Sequence, residues 1–278
     1  MSNVRIIVDK YVKRELEKLT ILKGCILEAP YVFETYSNIC DFSIVFNTEN
    51  ENWVLDETNF VSIILAKSEP ENLDQCKNKV ICICDNPRDI YAYLMNISLT
   101  GERLTWSRGD NINYIHPTAK VHPSTEISSN VYISEDVEIG PNCSIGFQGF
   151  GFGRLEGKAF RLIHTGGVFI GKGTKISSNV TVVSGTFNPT TIGENVLVDD
   201  HVHIAHNCII ENYVTLTAGT VLSGSVALGE NTWLGPNSSV INGAKLGKDV
   251  FAGIGACVTK SFEGGVIAGN PAKKLRAN

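Results

Sequence analysis

From Ile115 onward an aliphatic residue recurs at every sixth position, and this period constrains the fold more than any other feature of the 278-residue chain. The series runs Ile115, Val121, Ile127, Ile133, Ile139 and Ile145, then resumes at Ile170, Ile176 and Val182. After a four-residue insertion it continues from Ile192 through Ile204, Leu222 and Val240 to Val258. Another small or aliphatic residue follows four places after each, as at Val196, Val202, Cys208, Val214 and Ala256. A period of six fits neither an amphipathic helix nor an alternating strand. It fits a β-helix, in which each hexad supplies one short flat strand and a turn and three hexads close a triangular coil. The first and fifth positions then point inward and stack on neighbouring coils, so the array buries a core that no single repeat could. Gly, Asn and Asp suit the turns because left-handed backbone angles cost them little.

The chain divides into unlike parts. Residues 1–113 read as a small α/β unit, with apolar runs at 4–8, 41–46, 60–66 and 79–84 as buried strands. Asn86-Pro87 then opens a helix, with proline at a helix-start position. No glycine-rich dinucleotide or phosphate loop occurs there. Residues 114–262 are the repeat domain and 263–278 a C-terminal tail. Two interruptions, at 146–169 and 183–191, are expected as loops off a corner, where solenoids build binding faces.

Composition excludes several classes of function. With a net charge of -5 and 24 Lys+Arg, the chain lacks the basic footprint of a nucleic-acid binder. It offers no apolar run long enough for a membrane span, and its first residues show no signal-peptide core. The eight cysteines are scattered, without zinc spacing, and are expected to be reduced and mostly buried, as in a cytoplasmic protein.

The densest polar cluster is Asp199-Asp200-His201-Val202-His203-Ile204-Ala205-His206-Asn207. Val202 and Ile204 take inward positions, so the histidines and aspartates project outward. Three readings stand: a metal site, solvent-facing turn residues, or a catalytic imidazole. In the last, Asp199 or Asp200 orients the histidine that takes a proton from an amine or hydroxyl attacking a thioester. Turn geometry separates the histidines onto different faces, so no metal is expected.

From about residue 115 to 262 the chain resembles the left-handed β-helix acyltransferases, in particular UDP-3-O-acylglucosamine N-acyltransferases. The matching stretches are G-F-G-F at 149–152, D-D-H-V-H-I-A-H-N at 199–207 and S-V-I-N-G at 239–243. The N-terminal part is similar to that family's uridine-binding domain through S-I-V-F at 43–46 and V-I-C-I-C-D-N-P-R at 80–88. The resemblance implies a left-handed parallel β-helix after the α/β domain, a homotrimer with sites between subunits, His206 as the catalytic base and Asp199 as an active-site aspartate. Phe150, Phe152 and His164 fall on or near the substrate-side loop, and Asp200 and Asn207 complete the substrate set. Phe46 or Trp53 is a candidate for stacking on a uracil or thymine.

The chain departs from that pattern at three places. Ala244 stands where the family has a second active-site histidine, Val183-Ser184 where it has an Asp-Arg pair, and I-A-G-N-P-A-K-K-L-R at 267–276 is similar to coenzyme A-dependent hexapeptide acetyltransferases. The leading expectation is therefore an N-acyltransferase moving a short acyl group from acyl-coenzyme A to the amine of a nucleotide-linked sugar for bacterial surface polysaccharide. Gly269, Asn270, Pro271 and the basic Lys273 would meet the coenzyme, and a backbone N–H near Gly219 or Gly224 the oxyanion. The alternatives are the lipid A enzyme itself, using acyl carrier protein, and a non-catalytic scaffold or zinc protein of the γ-carbonic-anhydrase type.

Overall fold

The computed structural model describes residues 6–7, 20–23, 30–33, 43–46, 62–68, 79–98 and 113–276. The chain folds as two compact units, one drawn from Met1–Thr105 with Phe150–Ile163 and the other from Trp106–Gly149 with His164–Asn278.

In the first unit, Ile6–Ile7, Pro30–Phe33, Ser43–Phe46, Ser62–Ala66, Lys79–Ile83 and Thr20–Lys23 form one sheet in that order across it. The central pairings are parallel. Ile63, Ile64, Leu65 and Ala66 are all buried, as are Val80, Ile81 and Cys82. Successive side chains point to opposite faces, so an unbroken apolar run marks a strand covered on both sides. Helix α1 spans Pro87–Ser98, with Pro87 at its start and Asp89 in its first turn. Tyr91, Ala92, Leu94 and Met95 form its buried stripe.

The interruption expected as a loop contains an antiparallel hairpin, Phe152–Leu155 against Lys158–Arg161. Glu156 and Gly157, both at positive φ, make its two-residue turn. The hairpin belongs to the first unit. Tyr93 of α1 meets Phe160 edge to face at 5.0 Å, and Asn96 Nδ2 donates to the Arg161 carbonyl at 2.6 Å.

The second unit is a parallel β-solenoid of three sheets with seven, nine and seven strands. The first face carries Thr190–Ile192, Ile209–Ile210 and Ala227–Leu228; the second Leu197–Val198, Thr215–Leu216 and Trp233–Leu234; the third His203–Ile204, Val221–Leu222 and Ser239–Val240. From Thr190 to Val258 each strand pairs in parallel with the strand 18 residues later, such as Ile192 with Ile210 and Ile204 with Leu222, which is three hexads to a coil, while the two interruptions lengthen the coils that carry them. The inward positions are dry: Ile192, Val196, Ile204, Cys208 and Leu216 all have no solvent exposure. The corners take left-handed backbone, so His201 and Asn207 both sit at φ 60°. Within the segment expected as a tail, Val266–Ala268 continues the second face and Lys273–Arg276 folds back antiparallel on it.

Candidate active site

His206 stands where the chain leaves His203–Ile204 on the third face and turns toward Ile209–Ile210 on the first. Val202, Ile204 and Cys208 are pinned in the core, which forces Ala205, His206 and Asn207 to make the corner. The imidazole is half-buried.

Its tautomer follows from one neighbouring atom. Asn207 Oδ1 lies 3.2 Å from the Thr186 backbone nitrogen and 3.0 Å from His206 Nδ1. A backbone N–H only donates, so the Asn207 atom facing it is the carbonyl oxygen. The same oxygen must then accept from His206 Nδ1–H, and the Thr186 hydroxyl donates to it as well at 2.8 Å. A neutral His206 with its proton on Nδ1 presents a bare lone pair at Nε2, which is what a general base requires.

Nε2 faces the next coil. A β-carbon on Gly224 would stand 2.6 Å from it, 2.9 Å from Asn242 Oδ1, and would overlap His206 Cε1. Only glycine fits there, with the imidazole and the Asn242 amide both packed toward its Cα. Two coils earlier, His164 is only 4% exposed and meets His206 edge to face, with ring centroids 5.2 Å apart. His164 Nδ1 donates to the Ser184 carbonyl at 2.9 Å, and its own backbone is held at both ends by the Gln148 side chain. Ser184, where the resembling family carries arginine, is buried and accepts from the Gly167 N–H at 3.0 Å.

The other expected residues lie elsewhere. Asp199 and Asp200 occupy the corner between the second and third faces. Asp199 accepts from the backbone N–H groups of Asp200 and Ala218 at 2.8 and 3.1 Å, and Asp200 from that of Ser178 at 2.7 Å. Both carboxylates thus satisfy corner amides, and the group beside His206 Nδ1 is the Asn207 amide. His201 is exposed at the aspartate corner, and Gly219, at φ 70°, is in the same column with its N–H donated to Asp200 O. Of the two glycines considered for the oxyanion, Gly224 is the one against His206. Phe150 is 91% exposed and touches Phe152 edge to face at 5.1 Å within the first unit. Phe46 ends the strand Ser43–Phe46, its side chain outside the described residues, and Trp53 lies outside them altogether. Gly269 accepts from the Cys257 N–H, while Asn270, Pro271 and Lys273 are exposed. Among the described residues no group of three or more His, Cys, Asp or Glu converges as a metal site would require. Sequence reasoning did not find Thr186, Gly224 as the partner of His206, or Asn242 as a side chain beside it.

His203 projects from the third face. Burial pushes its imidazole below the usual histidine range, and the neighbouring His206 pushes in the same direction. A histidine less basic when folded binds fewer protons than in the unfolded chain, so stability falls as pH drops through and below the ordinary histidine range. Replacing it with threonine, the residue paired with it at position 181, should shrink the fall in Tm between about pH 7.5 and pH 5.5. An unchanged fall would show that His203 is not what senses acid.

The repeat and its corners define a class. The family model described as "Bacterial transferase hexapeptide (six repeats)" matches residues 189–224, the stretch that carries His206. Over part of its length the chain is similar to curated hexapeptide-repeat acyltransferases. A UDP-3-O-acylglucosamine N-acyltransferase of Leptospira biflexa is 39% identical over 31% of this chain and 25% of its own length. One from Methylorubrum extorquens is 30% identical over 49% of this chain and 39% of its own. The chain thus spans between a quarter and two fifths of these two relatives. Among solved structures, a UDP-N-acetylglucosamine acyltransferase of Francisella novicida matches 60% of this chain and 69% of its own, at 23% identity and a TM-score of 0.49.

Proposed function

We propose that this chain transfers an acyl group from a thioester to the amine of a UDP-linked amino sugar, with His206 as general base. The observation that carries the reading is the bare Nε2 of His206 directed at Gly224 on the next coil, with Nδ1–H held by Asn207. The neutral amine attacks the thioester carbon. As the C–N bond forms, Nε2 takes the amine proton, and the carbonyl electrons collect on oxygen as an oxyanion. Collapse expels the thiolate, which receives that proton, and leaves amide and thiol. The backbone N–H of Gly224, which donates to no described residue, is the proposed donor to the oxyanion. Asn207 Oδ1 stabilises the imidazolium formed in between.

The names of the relatives favour UDP-3-O-acylglucosamine as acceptor, the alternative drawn from the sequence, over a short-chain transfer from acyl-coenzyme A. By the same resemblance the donor is acyl carrier protein. Among the described residues no helix is long and apolar enough to cross a membrane. The assembly is proposed as a homotrimer, supported by flat solenoid faces that expose Tyr114, Tyr132, Leu197 and Ile209; sedimentation at micromolar concentration reads it directly.

A thiol-release assay with UDP-3-O-acylglucosamine and a panel of acyl-coenzyme A and acyl-carrier-protein donors tests the reading. Turnover is expected with a carrier-protein thioester. Release only with short acyl-coenzyme A would return the sequence's first expectation, and release with none would remove the acyltransferase reading.

A further inference from the structure

Asn242 follows Ser239–Val240 on the third face and is two coils beyond His206. Its side chain is exposed and makes no hydrogen bond to a described residue, so the fold does not need its amide. It nonetheless lies close to the base. The point where Gly224 lacks a β-carbon is 2.6 Å from His206 Nε2 and 2.9 Å from Asn242 Oδ1. The two acceptor atoms are therefore no further apart than those distances together. One nitrogen donating about 2.9 Å to each acceptor spans that gap.

A neutral primary amine carries two hydrogens and one lone pair. With only His206 Nε2 to accept, the amine can rotate about that single hydrogen bond and its lone pair points nowhere in particular. Two acceptors on either side of the nitrogen take both hydrogens and leave one direction for the lone pair. A hydroxyl has a single hydrogen and gains nothing from the second acceptor. Resting on the proposed acyl transfer, we infer that Asn242 Oδ1 accepts the second N–H of the attacking amine, aims its lone pair at the thioester and makes the site selective for an amine. The proton that moves still goes to His206 Nε2; Asn242 only holds the one that remains on nitrogen in the amide.

The test measures kcat/KM with UDP-3-O-acylglucosamine as acceptor for wild type, His206→Ala, Asn242→Ala and Asn242→Asp, each checked by thermal melt. Because the Asn242 side chain supports nothing else described, Asn242→Ala should melt like wild type. Its kcat/KM should fall about tenfold to a hundredfold, the usual cost of leaving one polar partner of a reacting group unpaired. Asn242→Asp retains an acceptor oxygen and should recover most of that loss. A wild-type rate in Asn242→Ala while His206→Ala is inactive would overturn this inference alone, as would a loss in Asn242→Asp as deep as in the alanine variant. Turnover surviving in His206→Ala, or absent from the wild-type chain with every donor, would overturn the proposed function and this inference with it.

Discussion

Replacing His206 with alanine should lower kcat by roughly 10²- to 10⁴-fold, the range for loss of a positioned general base. KM should change little, because the base acts on a proton that moves only in the transition state. The variant should stay folded: the corner is fixed by Ile204 and Cys208 in the core, and His206 Nδ1 supplies one of three donors to Asn207 Oδ1. His201→Ala should leave turnover nearly intact, since His201 is exposed at the corner that holds the aspartates. Asn207→Ala should fall between the two, because the imidazole would remain but could turn or change tautomer. Steady-state kinetics of the three variants under one set of conditions separates these roles. Full turnover in His206→Ala with a dead His201 or His164 variant would move the base elsewhere.

The solenoid was legible because its signal is redundant. Each coil repeats the same inward positions, so an error at one residue, such as Ala252 in an aliphatic column, is outvoted by the others. The same arithmetic could have located more of the site than it did. Residues 206, 224 and 242 are spaced by 18, one coil each, so Gly224 and the Asn242 amide beside His206 were available by counting alone. The orienting partner was misjudged for a different reason. Adjacent aspartates before a histidine look like an acid–base pair, but six residues of a flat coil turn a corner. Asp199 and Asp200 therefore reach backbone amides at one corner while His206 stands at the next. Asn207 was in view as a neighbour, yet its role depends on Thr186, which arrives from the previous coil across a register shifted by the four-residue insertion. The hairpin at 152–161 was hidden by composition, because glycine and phenylalanine at high density read as a loop.

Gly224→Ala should abolish most activity while leaving stability almost unchanged. The new methyl would stand 2.6 Å from His206 Nε2 and 2.9 Å from Asn242 Oδ1, closer than real β-carbons approach either atom. The atoms it meets are side-chain ends rather than backbone, and Gly224 is not among the positive-φ glycines, so the coil itself need not distort. The imidazole must give way, and it can do so only by loosening the Nδ1–H bond to Asn207. Displacement of a catalytic group by about 1 Å costs on the order of 10²-fold in rate, whereas one weakened hydrogen bond costs about 1 kcal/mol of stability. The methyl would also push on both atoms proposed to hold the amine, so KM should rise as well. Gly219→Ala is the matched control, since it is a corner glycine one column away at φ 70° with the Asn237 side chain against it. Left-handed backbone in a residue with a β-carbon costs roughly 1 to 2 kcal/mol, so this variant should melt several degrees earlier yet keep its turnover at a permissive temperature. Thermal melts and initial rates on the pair therefore report on two different corners of one coil. Equal activity in Gly224→Ala and wild type would mean that the face of His206 toward that coil is not where the substrate stands.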